Sequence, residues 1–299
     1  MTISTLPPTI DLSPARRRTI AVPGGEIAAL EFGPADRPLD VLFLHANGFN
    51  AATYRSILAP LGESLRVLAF DQRGHGRTTL RAVPFETNVW QGYSNDLLAV
   101  LEALGEAPTV LAGHSMGGTA CLLASAERGD AAKRLVLFDP VIITPERAAL
   151  LGEEGMKTSP LALGAGKRRA TFADRQAAFD SYQGRGAFRS WSDAMLRDYL
   201  VDGLAEGDDG QMNLTCAPAW EAANFATPSP DAVGGIPRIK APIRIFQAEH
   251  ASTAQFEIHE ADVLAAGATI EVVPGTSHFL PMERPELVCE ALLEAAAGS

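Results

Sequence analysis

Residues Thr109-Val110-Leu111-Ala112-Gly113-His114-Ser115-Met116-Gly117-Gly118 decide the architecture. An apolar run ends at Ala112, glycines bracket Ser115, and a helix-like segment, Gly118 to Arg128, follows at once. G-x-S-x-G by itself is a weak signal; a strand before it and a helix after it give it meaning. A serine on so tight a turn needs glycines on both sides, because a side chain there would clash with neighbouring backbone. The turn lifts the Ser115 hydroxyl above the carboxyl ends of the strands, where α/β sheets place their ligands. It also sets Ser115 at a helix N-terminus, whose dipole favours developing negative charge.

Outward from this turn, short apolar runs alternate with longer Ala/Leu-rich stretches. Val41–Leu44, Arg66–Phe70, Thr109–Ala112, Leu135–Phe138, Ile243–Phe246 and Thr269–Val273 read as strands buried on both faces of a parallel sheet. Tyr93–Leu104, Gly118–Arg128, Ala254–Ala266 and Pro285–Ala297 read as helices between them, which is the α/β pattern. The stretch 142–240 carries no convincing strand run and reads as several helices broken by Gly and Pro, an inserted lid. Residues 1–20 read as a loose tail. The domain reading is therefore a tail over 1–20, an α/β core over 21–141 and 241–299, and a helical cap over 142–240.

Composition narrows the function classes. Hydrophobic residues make up 46% and charged residues 20%, the balance of a globular core rather than a disordered chain. Twenty-five basic against 36 acidic residues give a net charge of −11. Such a surface repels nucleic acid and anionic membranes, and no apolar run approaches the roughly 18–20 residues that span a bilayer. Met1–Arg18 places its arginines late and has no apolar segment, unlike a signal peptide. Cys121, Cys216 and Cys289 show no CxxC spacing and suggest neither a disulfide framework nor a zinc site. The expectation is a soluble cytoplasmic protein without metal or other cofactor.

A serine hydroxyl needs a base within hydrogen-bond reach to act as a nucleophile. Of six histidines, His278 stands in Pro274-Gly275-Thr276-Ser277-His278-Phe279-Leu280, a loop between the last strand and the last helix that overhangs the carboxyl edge of the sheet. His45, His75 and His114 flank other glycine-rich turns, while His250 and His259 read as ordinary polar residues. A tetrahedral intermediate also needs N–H donors aimed at its oxyanion. The backbone N–H of Met116 is one candidate, and Asn47, in the loop His45-Ala46-Asn47-Gly48-Phe49 after a strand, is the other.

The chain resembles α/β-hydrolase-fold enzymes of the serine-nucleophile type. The resemblance rests on His45-Ala46-Asn47-Gly48, Asp71-Gln72-Arg73-Gly74-His75-Gly76, the Gly113–Gly118 turn and Gly275-Thr276-Ser277-His278, which follow the family's order over most of the chain. It implies a mostly parallel eight-stranded sheet flanked by helices, with a helical cap inserted after the sixth strand. One position departs from the family: Ala251 stands where most relatives carry the acid that orients the histidine. Asp139, at the end of the preceding strand, is the leading replacement; Glu249, two residues before Ala251, is the alternative; a third reading has no acid at all. Some haloalkane dehalogenases and lipases take their acid from that earlier strand end, but dehalogenation and epoxide opening on this fold need a carboxylate nucleophile, and here the turn carries Ser115.

The expected activity is cofactor-independent hydrolysis of a small or medium carboxylic ester through an acyl-enzyme. Ser115 would be the nucleophile, His278 the base, Asp139 or Glu249 its acid, and Asn47 and Met116 the oxyanion donors. Trp191, Tyr199, Trp220 and Phe225 are the candidate substrate-contacting residues of the cap. A lactonase, a thioesterase, a carbon–carbon bond hydrolase and a noncatalytic ligand-binding protein are the alternatives. The expected partner is a small ester-like molecule, and an apolar lid face would serve a homodimer as readily.

Overall fold

The chain begins its sheet earlier than its hydrophobic pattern suggests. In the computed structural model, which describes residues 14–85, 89–227 and 231–298, β1 (Arg16–Val22) and β2 (Gly25–Phe32) form an antiparallel hairpin. Then follow β3 (Val41–Leu44), β4 (Val67–Phe70), β5 (Val110–His114) and β6 (Arg134–Phe138). After an intervening segment come β10 (Ile243–Ala248) and β11 (Ala268–Val273). These eight strands form one sheet in the order β1-β2-β4-β3-β5-β6-β10-β11, parallel from β4 to β11, with β2 antiparallel to both neighbours.

Alternation along the strands divides the interior in two. Val41, Phe43, Val67, Ala69, Val110, Ala112, Val136 and Phe138 face one side, where Arg55–Leu58 and Pro285–Ala297 cover them. Leu42, Leu44, Leu68, Phe70, Leu111, Leu135 and Leu137 face the other, beneath the helices Val89–Leu104 and Met116–Glu127. With both faces covered the strands read as continuous apolar runs, and each fully buried Val, Leu or Phe contributes about 1.5–3 kcal/mol. Pro285 opens the last helix and Gly298, in the left-handed conformation, closes it.

The expected tail over 1–20 is corrected at its end. Residues 1–13 lie outside the described residues, but Arg16–Val22 is an edge strand. Only Ile20 of this strand is buried, so it carries almost no hydrophobic signal. Its arginines are ion-paired, Arg16 and Arg18 with Glu31 at 3.5 and 3.1 Å and Arg17 with Asp202 at 2.8 Å.

Between β6 and β10 the chain is mainly helical: Pro145–Lys157, Pro160–Gly166, Arg175–Tyr182, Asp193–Gly203 and Pro218–Ala226. It also forms three short strands that the sequence reading missed, β7 (Thr171–Phe172), β8 (Leu204–Glu206) and β9 (Met212–Leu214), paired β7-β9-β8. Runs of two or three residues, with one buried apolar residue in β7 and β8 and two in β9, fall below any periodic signal. The expected helix 254–266 shrinks to Glu260–Ala265 behind a 3-10 turn at Glu257–His259. Among the described residues no helix is long and apolar enough to cross a membrane.

Register sets the site. Gly113 pairs with Leu44 on one side and Leu137 on the other, His114 with Phe138, and Phe138 with Phe246. The carboxyl ends of β3, β5 and β6 therefore lie nearly level, β10 runs two residues further to Ala248, and the next residues on β5 and β6 are Ser115 and Asp139. Their backbone N–H groups extend the ladder, Ser115 to the Phe138 carbonyl at 3.0 Å and Asp139 to the Phe246 carbonyl at 2.7 Å.

Candidate active site

Ser115 stands between β5 and the helix Met116–Glu127 with φ 54° and ψ −121°. A non-glycine residue there costs about 1–3 kcal/mol, which the flanking contacts sustain. The glycines are required by space. A Cβ on Gly113 would lie 2.5 Å from the Gly117 carbonyl carbon, and one on Gly117 would strike the Leu44 carbonyl oxygen. Met116 is the first residue of the helix, so its N–H has no intrahelical partner.

His278 bridges Ser115 and Asp139. Its Nε2 is 3.0 Å from Ser115 Oγ and its Nδ1 is 2.6 Å from Asp139 Oδ2. A carboxylate only accepts, so Nδ1 carries the proton and Nε2 accepts from the serine hydroxyl. Asp139 is wholly buried. Burial pushes its carboxyl up, but hydrogen bonds from His278, Ser252 Oγ (2.5 Å) and the Ala248 N–H (2.9 Å) outweigh this and hold it below its ordinary value. The Thr253 N–H adds a further bond at 2.9 Å. The turn around Ala251 thus supplies donors to an acid on the neighbouring strand. The alternative acid, Glu249, points elsewhere: it accepts from the Gly275 N–H at 2.7 Å and lies 3.4 Å from His250.

Three further histidines are structural parts of the site. His114 Nε2 donates to the His278 carbonyl at 2.8 Å, which leaves Nδ1 to accept from the Tyr54 hydroxyl at 2.7 Å. Tyr54 in turn accepts from the Ala46 N–H at 3.2 Å, so one buried chain of bonds ties the 45–49 loop to the backbone of His278. His75 Nδ1 donates to the Arg73 carbonyl and its Nε2 accepts from the Gly48 N–H at 3.0 Å. His45 Nδ1 donates to the Ala46 carbonyl and its Nε2 accepts from the Gln72 N–H at 2.8 Å. Burial holds all three neutral: His114 is pushed down to about 3, with the His278 charge adding to the effect, His75 down to about 4, and His45 well below its ordinary value. The motif Asp71–Gly76 is in this way the brace of the 45–49 loop.

Asn47 faces the same cavity as Ser115 and Met116. Its side chain reaches into the intervening segment, donating to the Glu221 carbonyl at 3.1 Å and accepting from Asn224 Nδ2 at 2.9 Å. The cavity above Ser115 has a volume of about 770 Å³ and largely apolar walls, among them Ile143, Met156, Leu161, Phe188 and Phe225.

Of the four expected substrate-contacting residues only Phe225 lines this cavity. The other three are corrected. Trp191 packs edge-on against Phe49 and Phe188 at 5.1 and 5.0 Å. Tyr199 is buried beneath Arg168, which donates to its hydroxyl at 2.8 Å. Trp220 donates to the Arg73 carbonyl at 3.2 Å and packs on Tyr93. The sequence reading missed Arg168 and Glu221, which line the cavity as an ion pair. No local motif marks either residue.

These features agree with comparisons to known proteins. The sequence profile of the alpha/beta hydrolase family matches residues 41–291. The chain is 23% identical over 253 residues to 2-(acetamidomethylene)succinate hydrolase of Mesorhizobium japonicum, covering 84% of this chain and 86% of that protein. It is 24% identical over 279 residues to the carboxylesterase YbfK of Bacillus subtilis, covering 92% and 85%. The crystal structure of E-2-(acetamidomethylene)succinate hydrolase superposes with a TM-score of 0.75 at 21% identity, over 95% of this chain and 100% of that one. A sheet of this order, a glycine-bound turn after β5 and a profile match over most of the chain lead to one conclusion: this protein belongs to the alpha/beta hydrolase family.

Proposed function

We propose that this chain is a cofactor-independent serine hydrolase that cleaves a small or medium carboxylic ester through an acyl-enzyme. The observation that carries the reading is the row Ser115 Oγ–His278 Nε2 at 3.0 Å and His278 Nδ1–Asp139 Oδ2 at 2.6 Å, opening on an apolar cavity. In this reading Ser115 Oγ bonds to the ester carbonyl carbon as its proton passes to His278 Nε2. The backbone N–H groups of Asn47 and Met116 receive the oxyanion. Collapse breaks the bond to the leaving oxygen, which takes the proton from His278. A water, deprotonated by His278, then attacks the acyl-serine, and His278 returns that proton to Ser115 Oγ as the acid leaves. Asp139 fixes the Nδ1–H tautomer throughout, and residues 142–240 serve as the cap that shapes the cavity.

The carboxylesterase relative supports the ester reading, and the cavity volume of about 770 Å³ falls in the range of small-molecule sites, roughly 300–1,000 Å³. A noncatalytic binding role drew its support from Ala251 in the acid position, and a carboxylate on His278 takes that support away. Turnover of p-nitrophenyl esters from acetate to octanoate, compared with Ser115→Ala, tests the proposal. Hydrolysis lost in the variant is the expected result. Failure to turn over any ester in the series would contradict it.

A further inference from the structure

The charge of the cavity is opposite to that of the chain. The protein carries a net charge of −11, yet among the described residues the cavity lining holds Arg147, Arg168 and Arg185 against one carboxylate, Glu221. Arg147 turns to Glu257 at 3.2 Å, and Arg185 is exposed. Arg168 is the inner one, with 19% of its side chain exposed. It pairs with Glu221 and donates to the hydroxyls of Tyr199 at 2.8 Å and Tyr182 at 3.3 Å. These bonds use one Nη1 hydrogen and both on Nη2, and leave the Nε–H and the second Nη1–H, each free to donate singly to a ligand.

Its position is as informative as its charge. The space beside Gly48 that a Cβ would fill lies 2.6 Å from Glu221 Oε1 and 3.4 Å from Arg168 Nη1. Gly48 adjoins Asn47, so the guanidinium stands next to the loop that would receive the ester carbonyl. A buried ion pair contributes little to stability over a well-packed apolar pair. One placed in the wall of an apolar cavity, beside the reacting group, is instead suited to recognise an anion, which a free guanidinium N–H meets in a charge-assisted hydrogen bond.

Building on the proposed ester hydrolysis, we infer that the preferred substrate is an ester bearing a free carboxylate, received by Arg168 with Glu221 as its resident counter-ion. Hydrolysis of a monoester of a short dicarboxylic acid then yields the dicarboxylate and an alcohol.

The test compares mono-p-nitrophenyl glutarate with p-nitrophenyl valerate, esters of equal acyl length that differ in the terminal carboxylate. In the wild type the kcat/KM ratio should favour the glutarate ester by about tenfold or more, as a charged hydrogen-bond pair supplies. In Arg168→Gln the ratio should fall to one or below. The double variant Arg168→Gln/Glu221→Gln, which leaves no buried charge unpaired, should give the same loss and guards against misfolding of the single variant. A wild-type preference for valerate, or a glutarate preference that survives both variants, would overturn the inference. If neither ester is turned over, the hydrolase reading has failed, and the carboxylate site is read alone by calorimetry of monomethyl glutarate with Ser115→Ala. Binding abolished by adding Arg168→Gln upholds the inference; absence of binding, or binding that Arg168→Gln does not change, overturns it.

Discussion

Asp139 reaches His278 from the end of β6, its Oδ2 2.6 Å from Nδ1, across a turn after β10 that contributes donors and no acid. The end of β6 pairs with Phe246, and β10 runs two residues further to Ala248, whose N–H reaches Asp139 while the next residue, Glu249, turns to the Gly275 N–H. Ala251 in the later turn and Asp139 at the earlier strand end both have positive φ, 52° and 43°.

That arrangement separates two carboxylates by function. Asp139→Asn places an amide NH₂ among donors from Ala248, Ser252 and Thr253 and removes the charge that holds the His278 tautomer. Ester turnover should fall on the order of 10⁴-fold, as loss of a triad acid does in serine proteases. Glu249→Gln keeps an acceptor for the Gly275 N–H and should stay within about threefold of wild type. Steady-state kcat on one ester decides between them; the reverse ranking would move the acid to Glu249.

His114 carries a separate prediction. His114→Phe leaves the His278 carbonyl and the Tyr54 hydroxyl unpaired in the interior, at a cost of about 1–3 kcal/mol for each group left unsatisfied. Denaturant unfolding should show this loss, and kcat should fall because His278 is no longer anchored. Unchanged stability would mean that the chain Ala46–Tyr54–His114–His278 is not a constraint.

Asn47→Ala cuts the two bonds to Glu221 and Asn224 while keeping the backbone N–H. The loop then loses its hydrogen bonds to Glu221 and Asn224, and kcat should fall about tenfold with a smaller change in KM, the pattern of an interaction made mainly in the transition state. A rise in KM alone would show that Asn47 acts on binding.

The buried titrating groups give the pH dependence of stability a definite sign. His45, His75 and His114 have folded values depressed below 6.5, so each contributes stability above that value and loses it as pH falls. Asp71 runs the other way: burial, with the nearby Asp202 charge, raises it to about 7, so its contribution grows as pH drops. Near pH 5 unfolding takes up three histidine protons and releases one from Asp71, a net uptake of about two, or roughly 2–3 kcal/mol per pH unit. Between about pH 7 and 7.5 the two effects nearly cancel. Urea unfolding at pH 7.5, 7, 6 and 5 should show a plateau above pH 7 and then a decline that steepens toward pH 5; a flat profile to pH 5 would mean that these histidines are not neutral in the fold.

Legibility in the sequence followed burial and locality. Val41–Leu44 and Val67–Phe70 are apolar at every position because both faces are covered, and they read at once. Arg16–Val22 does not, since one buried residue on an edge strand leaves no pattern. Ser115 announces itself through glycines whose need is local. The choice between Asp139 and Glu249 depends on which side chain the register of β6 against β10 turns toward His278, and no local pattern encodes that. Trp191, Tyr199 and Trp220 are large and aromatic, but whether such a residue faces a cavity or a core is set by how the helices pack on Phe49, Arg168 and Tyr93. Arg168 and Glu221, 53 residues apart, meet only in the folded chain.

Activation of the Ser115 hydroxyl is read by labelling with a fluorophosphonate probe, with mass spectrometry to locate the adduct. Rapid, stoichiometric modification at Ser115 and none in Ser115→Ala is the expected result. A folded wild-type protein that leaves Ser115 unmodified, or that is modified at another residue and equally in Ser115→Ala, would contradict it.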